Sequence, residues 1–146
     1  MIDPTVRAAT QADVEQLREL EAEARSSVSE HRGGPRWLAT HPERARGWVS
    51  VVDVDSVIVA HIGPVVVGYL VLVVDEQVAT VDEVYVTPQA RELGFGDSLL
   101  EAGIEAGRSR GCTLLEGTSL PGDRNTKNLY ERAGITARLI TVSTAI

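Results

Sequence analysis

The stretch YVTPQARELGFGDSLL, residues 85–100, joins the end of a strand to the start of a helix. Its first residues alternate in polarity as strand residues do, and Pro88 ends that run. Apolar residues at helical spacing then continue from 98 to 110. Two glycines, Gly94 and Gly96, therefore lie where a strand gives way to a helix.

These glycines would allow an anion to reach the start of the predicted helix. The first N–H groups of a helix have no internal partners, and the helix dipole places partial positive charge there. A phosphate satisfies both, provided that no side chain blocks its approach. We interpret Glu92 to Asp97 as a backbone cradle for a diphosphate, to which Arg91 adds a positive charge. A tight turn that binds nothing stays open as the alternative, because the stretch lacks a Walker loop and a complete dinucleotide fingerprint.

The composition indicates one globular domain, residues 1–146. Hydrophobic residues make up 43% of the chain and charged residues 24%, which is ordinary for a globular protein. The longest apolar run, 65–74, is far shorter than a membrane helix, and the first residues lack a signal-peptide pattern. The single cysteine, Cys112, can form no internal disulfide. These features predict a cytoplasmic protein that does not insert into a membrane.

The charge of the chain restricts its partners. The formal net charge is −7, which argues against nucleic acid because phosphate binding needs a basic face. Negative charge favours cationic ligands through long-range attraction, although it also serves solubility. His31, His41 and His61 have no metal-ligand spacing, so no metal is expected.

Hydrophobic periodicity predicts a mixed sheet flanked by helices. Strand patterns cover residues 5–9, 57–62, 65–74, 78–86, 112–116 and 136–146, and helical patterns cover 11–25, 98–110 and 125–133. The irregular segment 26–48, which contains both tryptophans, is interpreted as a loop with one or two short helices. The order is β-α-(α)-β-β-β-α-β-α-β, an α/β (α+β) fold with a mostly antiparallel sheet and helices on both faces.

Several short motifs occur in one order along the chain. They are VTP at 86–88, RELGFG at 91–96 and LYERAGI at 129–135, preceded by VRAATQAD at 6–13 and VVGY at 66–69. Together they resemble the GCN5-related N-acetyltransferase (GNAT) superfamily over nearly the whole chain. The resemblance implies that superfamily's acyl-CoA N-acyltransferase fold.

The resemblance also implies acetyl-CoA as the co-substrate. Its pantetheine arm would pair with the backbone of Val84, Tyr85 and Val86, and the Val86 amide would donate to the thioester carbonyl. The implied coenzyme-binding residues also include Arg91, Glu92, Leu93, Gly94, Phe95, Gly96 and Asp97 in the loop, and Asp123 and Asn125 at the start of the later helix. Asp123 departs from the family pattern, which has asparagine there.

The same resemblance assigns catalytic roles. Tyr130 matches the family's tyrosine beside the coenzyme sulfur and is the expected general acid. The base that accepts the amine proton is Asp82, Glu83 or Glu116. Strand alternation predicts that Asp82 and Glu83 point to opposite faces of the sheet.

Three functions remain open at this stage. The first is acetyl transfer to a primary amine, with a small cationic amine as the expected acceptor. The second is acetylation of a protein or peptide with Glu116 as base, and the third is a non-catalytic acyl-CoA-binding module. A homodimer is also expected from the resemblance, through the last strand or the segment 26–48.

Overall fold

The computed structural model describes residues 4–146. Its strands are β1 (Thr5–Ala8), β2 (Val57–Ile62), β3 (Val65–Asp75), β4 (Val78–Val86) and β5 (Leu114–Gly117). Its helices are α1 (Val14–Val28), α2 (Gly34–Thr40), α3 (Trp48–Asp53), α4 (Phe95–Ser109) and α5 (Arg124–Arg132). Short 3₁₀ turns lie at Gln11–Asp13, Ala45–Gly47 and Pro88–Ala90.

The strands form one sheet in the order β1-β2-β3-β4-β5. Neighbours are antiparallel except β4 and β5, which are parallel and joined by α4. Because strand side chains alternate, the sheet has an apolar layer on each face. One layer includes Leu70 of β3 and Leu99 of α4, and the other includes Leu17 of α1 and Trp48 of α3. The predicted mixed sheet with flanking helices is confirmed.

The start of the first helix is fixed by a buried carboxylate. Asp13 accepts hydrogen bonds from the Thr10 backbone N–H at 2.8 Å and from two Arg7 nitrogens at 2.7 and 2.9 Å. This is the capping arrangement that the spacing of Thr10 and Asp13 indicates. Because the bonds stabilise the charged form, chiefly the one from Arg7, they lower the pKa of Asp13.

The strands β4 and β5 diverge after a short pairing. Only Val78 to Val81 pair with β5, and the last partners are Val81 and Gly117. The Thr87 N–H donates to the Val67 carbonyl of β3 at 2.8 Å. Since alternate residues of an antiparallel strand bond to the same neighbour, the Val86 N–H points away from β3, toward the diverging side.

The prediction and the structure differ at one strand and one helix. The strand expected over 136–146 is wrong, since this segment has no regular structure and makes no ladder with the described strands. Its apolar side chains Leu139, Ile140 and Val142 are exposed. A strand forms only where it can pair with the edge of a sheet, and strand propensity alone does not show whether such an edge is within reach. Helix α3 was not predicted, because its WVSVVD sequence is rich in β-branched residues; burial of Trp48 and Val52 outweighs that preference.

Candidate functional site

The N-terminus of α4 has the features of an anion-binding site. The first intrahelical hydrogen bond runs from the Ser98 N–H to the Gly94 carbonyl at 3.1 Å. The N–H groups of Phe95, Gly96 and Asp97 therefore precede the helical ladder, and no side chain caps them. Gly94 has φ +88° and Glu92 has φ +67°, so the loop turns twice through the left-handed region before the helix begins.

The loop side chains have structural partners of their own. Phe95, the first residue of α4, is buried in the core, and Asp97 accepts a hydrogen bond from Arg132 Nε at 3.0 Å. Glu92 and Leu93 are exposed. A coenzyme would therefore contact the backbone of this loop. For Phe95 and Asp97, the predicted contact with the coenzyme is restricted to the backbone N–H groups.

Arg91 joins the loop to the end of β4. Its Nε donates to the Val86 carbonyl at 2.9 Å, and its guanidinium carbon lies 5.6 Å from the centroid of the Tyr85 ring. The Val86 carbonyl, like its N–H, thus points to the side on which β4 lacks β5. A guanidinium has further donors that this bond does not use, so Arg91 can still offer charge to a diphosphate.

Gly96 lies at the contact between α4 and α5. A Cβ atom on Gly96 would lie 3.4 Å from Leu129 Cδ1 and 3.9 Å from Val86 Cγ2, so it would point into the protein. These are ordinary van der Waals distances, so Gly96 packs against α5 on this side. Its contact with an anion remains a prediction.

Asp123 caps the helix that carries Tyr130. Its carboxylate accepts from the Thr126 N–H at 3.1 Å and from the Thr126 hydroxyl at 2.7 Å. These hydrogen bonds stabilise the start of α5. Because the Asp123 carboxylate is engaged in them, it is a weak candidate for coenzyme binding. Asn125 is exposed at the same helix start.

Tyr130 lies where β4 and β5 diverge. Its side chain is buried, and a Cβ atom on Gly117, the last paired residue of β5, would overlap the Tyr130 hydroxyl. Burial raises the pKa of Tyr130 to about 12, with a smaller contribution from the charge of Asp123. The phenol therefore keeps its proton at neutral pH and can donate it or a hydrogen bond.

A β-bulge brings Asp82 and Glu83 together. In the pairing of β3 with β4, Val71 lies opposite Glu83 and Leu72 lies opposite Val81, so Asp82 is an extra residue. Both carboxylates then reach one guanidinium, that of Arg44, at 2.6 Å each. The expectation that they point to opposite faces is wrong, because the bulge breaks strand alternation at this position.

Arg44 is held in place by a third carboxylate, that of Glu21. Glu21 is 1% exposed and accepts from Arg44 Nη1 at 2.9 Å and from the Arg44 backbone N–H at 3.0 Å. The Trp48 indole N–H donates to the same carboxylate at 3.1 Å, and the guanidinium lies 5.0 Å from the Trp48 ring. Burial acts to lower the pKa of Arg44, but Glu83 and Asp82 outweigh it and raise that pKa. All three carboxylates fix the position of the guanidinium.

Glu83 and Asp82 differ in burial although they share a partner. The Glu83 side chain is 9% exposed, and burial raises its pKa against the opposing effect of Arg44. Asp82 is 40% exposed. Asp82 is therefore the carboxylate of the pair that is open to a ligand.

A small cavity lies beside Asp82. Its volume is about 210 Å³, and it is bounded by α1, α2, the loop after α2 and β4. Its lining residues are Arg25, Trp37, Thr40, His41, Pro42, Arg44 and Asp82. A larger open groove of about 820 Å³ runs along α4, and neither Asp82 nor Tyr130 lines it.

Glu116 is separated from these carboxylates. It is exposed on β5 opposite Thr80, on the paired part of the two strands. Within residues 4–146, Glu116 takes no part in the ion pairs of Arg44 with Asp82 and Glu83. The structure thus brings together two of the three predicted base candidates.

Sequence reasoning missed Arg44, Glu21 and Gly117. Arg44 lies in the irregular segment, and no local motif indicates its partners on β4. Glu21 does carry a signal, since it occupies a helical position between Leu17 and Ala24 on the apolar side of α1. A carboxylate at such a position needs a buried partner.

Two further searches of residues 4–146 gave negative results. No cluster of three or more His, Cys, Asp or Glu side chains is arranged to hold a metal ion. Among the helices of that range, none is long and apolar enough to cross a membrane.

The family of the chain follows from a match over most of its length. The model of the acetyltransferase (GNAT) family matches residues 14–135. The chain therefore belongs to the GNAT family of acetyltransferases, which are enzymes. Among curated proteins, none matches the sequence.

Solved structures share the fold at low sequence identity. The aminoglycoside N-acetyltransferase AAC(6')-Iy in complex with CoA is 17% identical with a TM-score of 0.70, over 99% of this chain and 96% of that one. Ribosomal-protein-alanine N-acetyltransferase from Brucella melitensis is 14% identical with a TM-score of 0.70, over 99% and 100%. PaiA N-acetyltransferase from Thermoplasma acidophilum in complex with coenzyme A is 14% identical with a TM-score of 0.69, over 90% and 89%.

Proposed function

We propose that this protein is an acetyl-CoA-dependent N-acetyltransferase whose acceptor is the primary amine of a small molecule. The observation that carries the proposal is that three features lie together at the end of β4. The edge of β4 is open from Asp82 to Val86, the uncapped start of α4 follows it, and Tyr130 lies at the divergence. CoA in two of the similar structures supports the same coenzyme here.

The coenzyme fits the backbone of this region. An amide-containing pantetheine arm can pair with the outward N–H and carbonyl groups of Val84 and Val86, as an added strand would. The free N–H groups of Phe95, Gly96 and Asp97 suit a diphosphate, because the positive end of the α4 dipole lies there. Bound in this way, acetyl-CoA supplies an acetyl thioester close to Val86.

Three groups of the chain would then assist transfer of the acetyl group to the amine. The Val86 N–H stabilises the negative charge that develops on the thioester oxygen as the amine nitrogen attacks the carbonyl carbon. Asp82 accepts the proton that the ammonium group must lose, directly or through water. As the C–S bond breaks, the nitrogen loses its second proton to solvent and Tyr130 gives its own proton to the departing sulfur. Solvent then restores the proton of Tyr130 and takes up the one that Asp82 accepted.

The small cavity beside Asp82 supports a small-molecule acceptor. Asp82 follows directly after Val81, the last β4 residue paired with β5, so the cavity adjoins the divergence from the side of α1 and α2. Its volume of about 210 Å³ is below the roughly 300–1,000 Å³ typical of pockets for drug-sized ligands. An amine of a few carbon atoms is the size that it can enclose.

An assay with acetyl-CoA and a panel of primary amines tests the proposal. Release of free thiol should depend on the amine, and mass spectrometry should detect the N-acetylated product. Tyr130→Phe should lower kcat about 10²- to 10⁴-fold, the range for loss of general acid catalysis, while the affinity for CoA is kept. Binding of CoA with no amine-dependent thiol release by the wild-type protein would refute the transferase and leave a coenzyme-binding protein.

A further inference from the structure

We propose that the acceptor is an amine that also carries an anionic group, such as a carboxylate, and that Arg25 binds that group. This inference rests on the proposed function and names the acceptor class of the same site. It depends on how charge is distributed around the cavity beside Asp82.

The carboxylates of β4 already have a cationic partner inside the protein. Asp82 lines the cavity and Glu83 is buried beside it, and the Arg44 guanidinium lies 2.6 Å from each carboxylate. Arg44 cannot leave easily, because buried Glu21 binds both its side chain and its backbone N–H. An acceptor with several positive charges would have to compete with a fixed internal cation for these carboxylates.

The wall of the cavity carries more positive than negative groups. Its charged lining residues are Arg25, Arg44 and Asp82, so two guanidinium groups and one carboxylate border the space. Glu21 and Glu83 lie behind Arg44 and are buried. Asp82 can accept one ammonium group, and the second guanidinium then favours an anion on the same molecule.

Arg25 is positioned to bind that anion. Its Nη1 donates to the His41 carbonyl at 2.5 Å, which fixes the side chain across the cavity wall between α1 and the end of α2. A guanidinium has five N–H donors, and this bond uses one of them. The remaining donors match the planar oxygens of a carboxylate.

His41 adds an imidazole ring to the cavity wall. Its Nδ1 lies 2.9 Å from the Trp37 carbonyl, which can only accept, so Nδ1 carries the proton. The ring stacks on Trp37 with centroids 4.3 Å apart. In the neutral ring Nε2 is an acceptor, which suits a ligand N–H.

Matched acceptors test the charge requirement. Free α-, β- and γ-amino acids are compared with their carboxamides, which keep the amine and lose the anion, and with spermidine as a polycation. Wild-type kcat/KM should be at least tenfold higher for the best amino acid than for its carboxamide, and spermidine should be the poorer acceptor. Arg25→Gln should abolish the tenfold preference, whereas Arg36→Gln, an equal charge change at an exposed site on α2, should retain it.

Calorimetry separates this inference from the proposed function. The same amino acid and carboxamide are titrated into the protein saturated with CoA, so that binding is measured without turnover. Tighter binding of the amino acid, lost in Arg25→Gln, supports the inference even if no acetyl transfer occurs. Equal binding of the pair, tighter binding of spermidine, or binding of none of them would overturn it.

Discussion

The Tyr130 hydroxyl lies so close to Gly117 that a single methyl group on Gly117 would overlap it. Gly117 is the last residue of β5 that pairs with β4, and Tyr130 comes from α5. The close contact fixes the phenol at the point where the two strands diverge. In the proposed function, this is where the sulfur of the coenzyme leaves.

Gly117→Ala should therefore displace Tyr130 and slow catalysis. We expect kcat to fall at least about tenfold, because misplacing a catalytic group by about 1 Å can cost as much as 10²-fold. The Kd for CoA should change little, since the backbone contacts of β4 and α4 remain. Steady-state kinetics and calorimetry measure the two effects.

Gly47→Ala is the matched control for that substitution. A Cβ atom on Gly47 would meet no other atom within 4 Å, and its φ of −62° is open to alanine. Its kcat should equal that of the wild type. Equal kcat for Gly117→Ala would mean that Tyr130 does not act from its observed position.

Leu93→Glu should weaken CoA binding by placing negative charge beside the start of α4. Leu93 is 41% exposed, so the change should not disturb the core. A like charge near a diphosphate at the surface costs about 1 kcal/mol, which predicts a Kd about fivefold higher. Leu93→Gln should leave the Kd unchanged, and the effect of Leu93→Glu should shrink at high salt.

If Leu93→Glu and Leu93→Gln bind CoA equally at low salt, the diphosphate does not lie at this loop. The Kd of each is measured by calorimetry at two salt concentrations. Both variants must first give the wild-type circular dichroism spectrum, so that a change of fold is not mistaken for a loss of charge attraction.

Asp82→Asn should lower kcat by about a hundredfold or more, the loss expected on removing a general base. Glu116→Gln should keep kcat within a few-fold of the wild type, because Glu116 lies on the paired part of β5 away from the cavity. Rates are compared with the best small amine found. The reverse pattern would move the base to Glu116 and favour a peptide acceptor.

The acid stability of the fold should depend on Asp13. Its folded-state pKa is lowered, chiefly by Arg7, so its stabilisation is present above the unfolded pKa of about 3.9 and is lost as pH falls through the folded value. Asp13→Asn should reduce the free energy of unfolding at pH 7 by about 1–2 kcal/mol, since it removes the negative charge that binds the Arg7 guanidinium. The difference from the wild type should shrink toward pH 2.

Urea unfolding at pH 7 and at low pH measures this dependence. Asp75→Asn, at an exposed position at the end of β3, should match the wild type at both pH values. A constant difference between Asp13→Asn and the wild type at every pH would show that the charge of Asp13 does not contribute.

The sequence predicted the parts of the fold that depend on local pattern. The strands β2, β3 and β4 alternate or run apolar between clear turns, and Gly94 with Gly96 marked the start of α4. The prediction of a strand over 136–146 was wrong because a sequence pattern does not show whether a neighbouring strand is available for pairing. Helix α3 was missed because its stability comes from the burial of Trp48, which is a tertiary effect.

The site was predicted less completely than the fold. Asp82, Glu83 and Tyr130 were found because they lie in motifs or on a recognisable strand. The bulge that turns both carboxylates to Arg44 depends on the pairing of β3 with β4, and a single strand pattern cannot reveal it. Arg44 itself is 38 residues from Asp82 along the chain, so only the folded structure brings them together.

The central claim is that acetyl-CoA lies along the open edge of β4, and amide hydrogen exchange measured residue by residue with and without CoA tests it most directly. With CoA bound, exchange at Val84, Val86 and the first residues of α4 should slow at least tenfold, while exchange in the segment 136–146 stays the same. If CoA binds by calorimetry and exchange at Val84 and Val86 is unchanged, the coenzyme lies elsewhere and the account is contradicted.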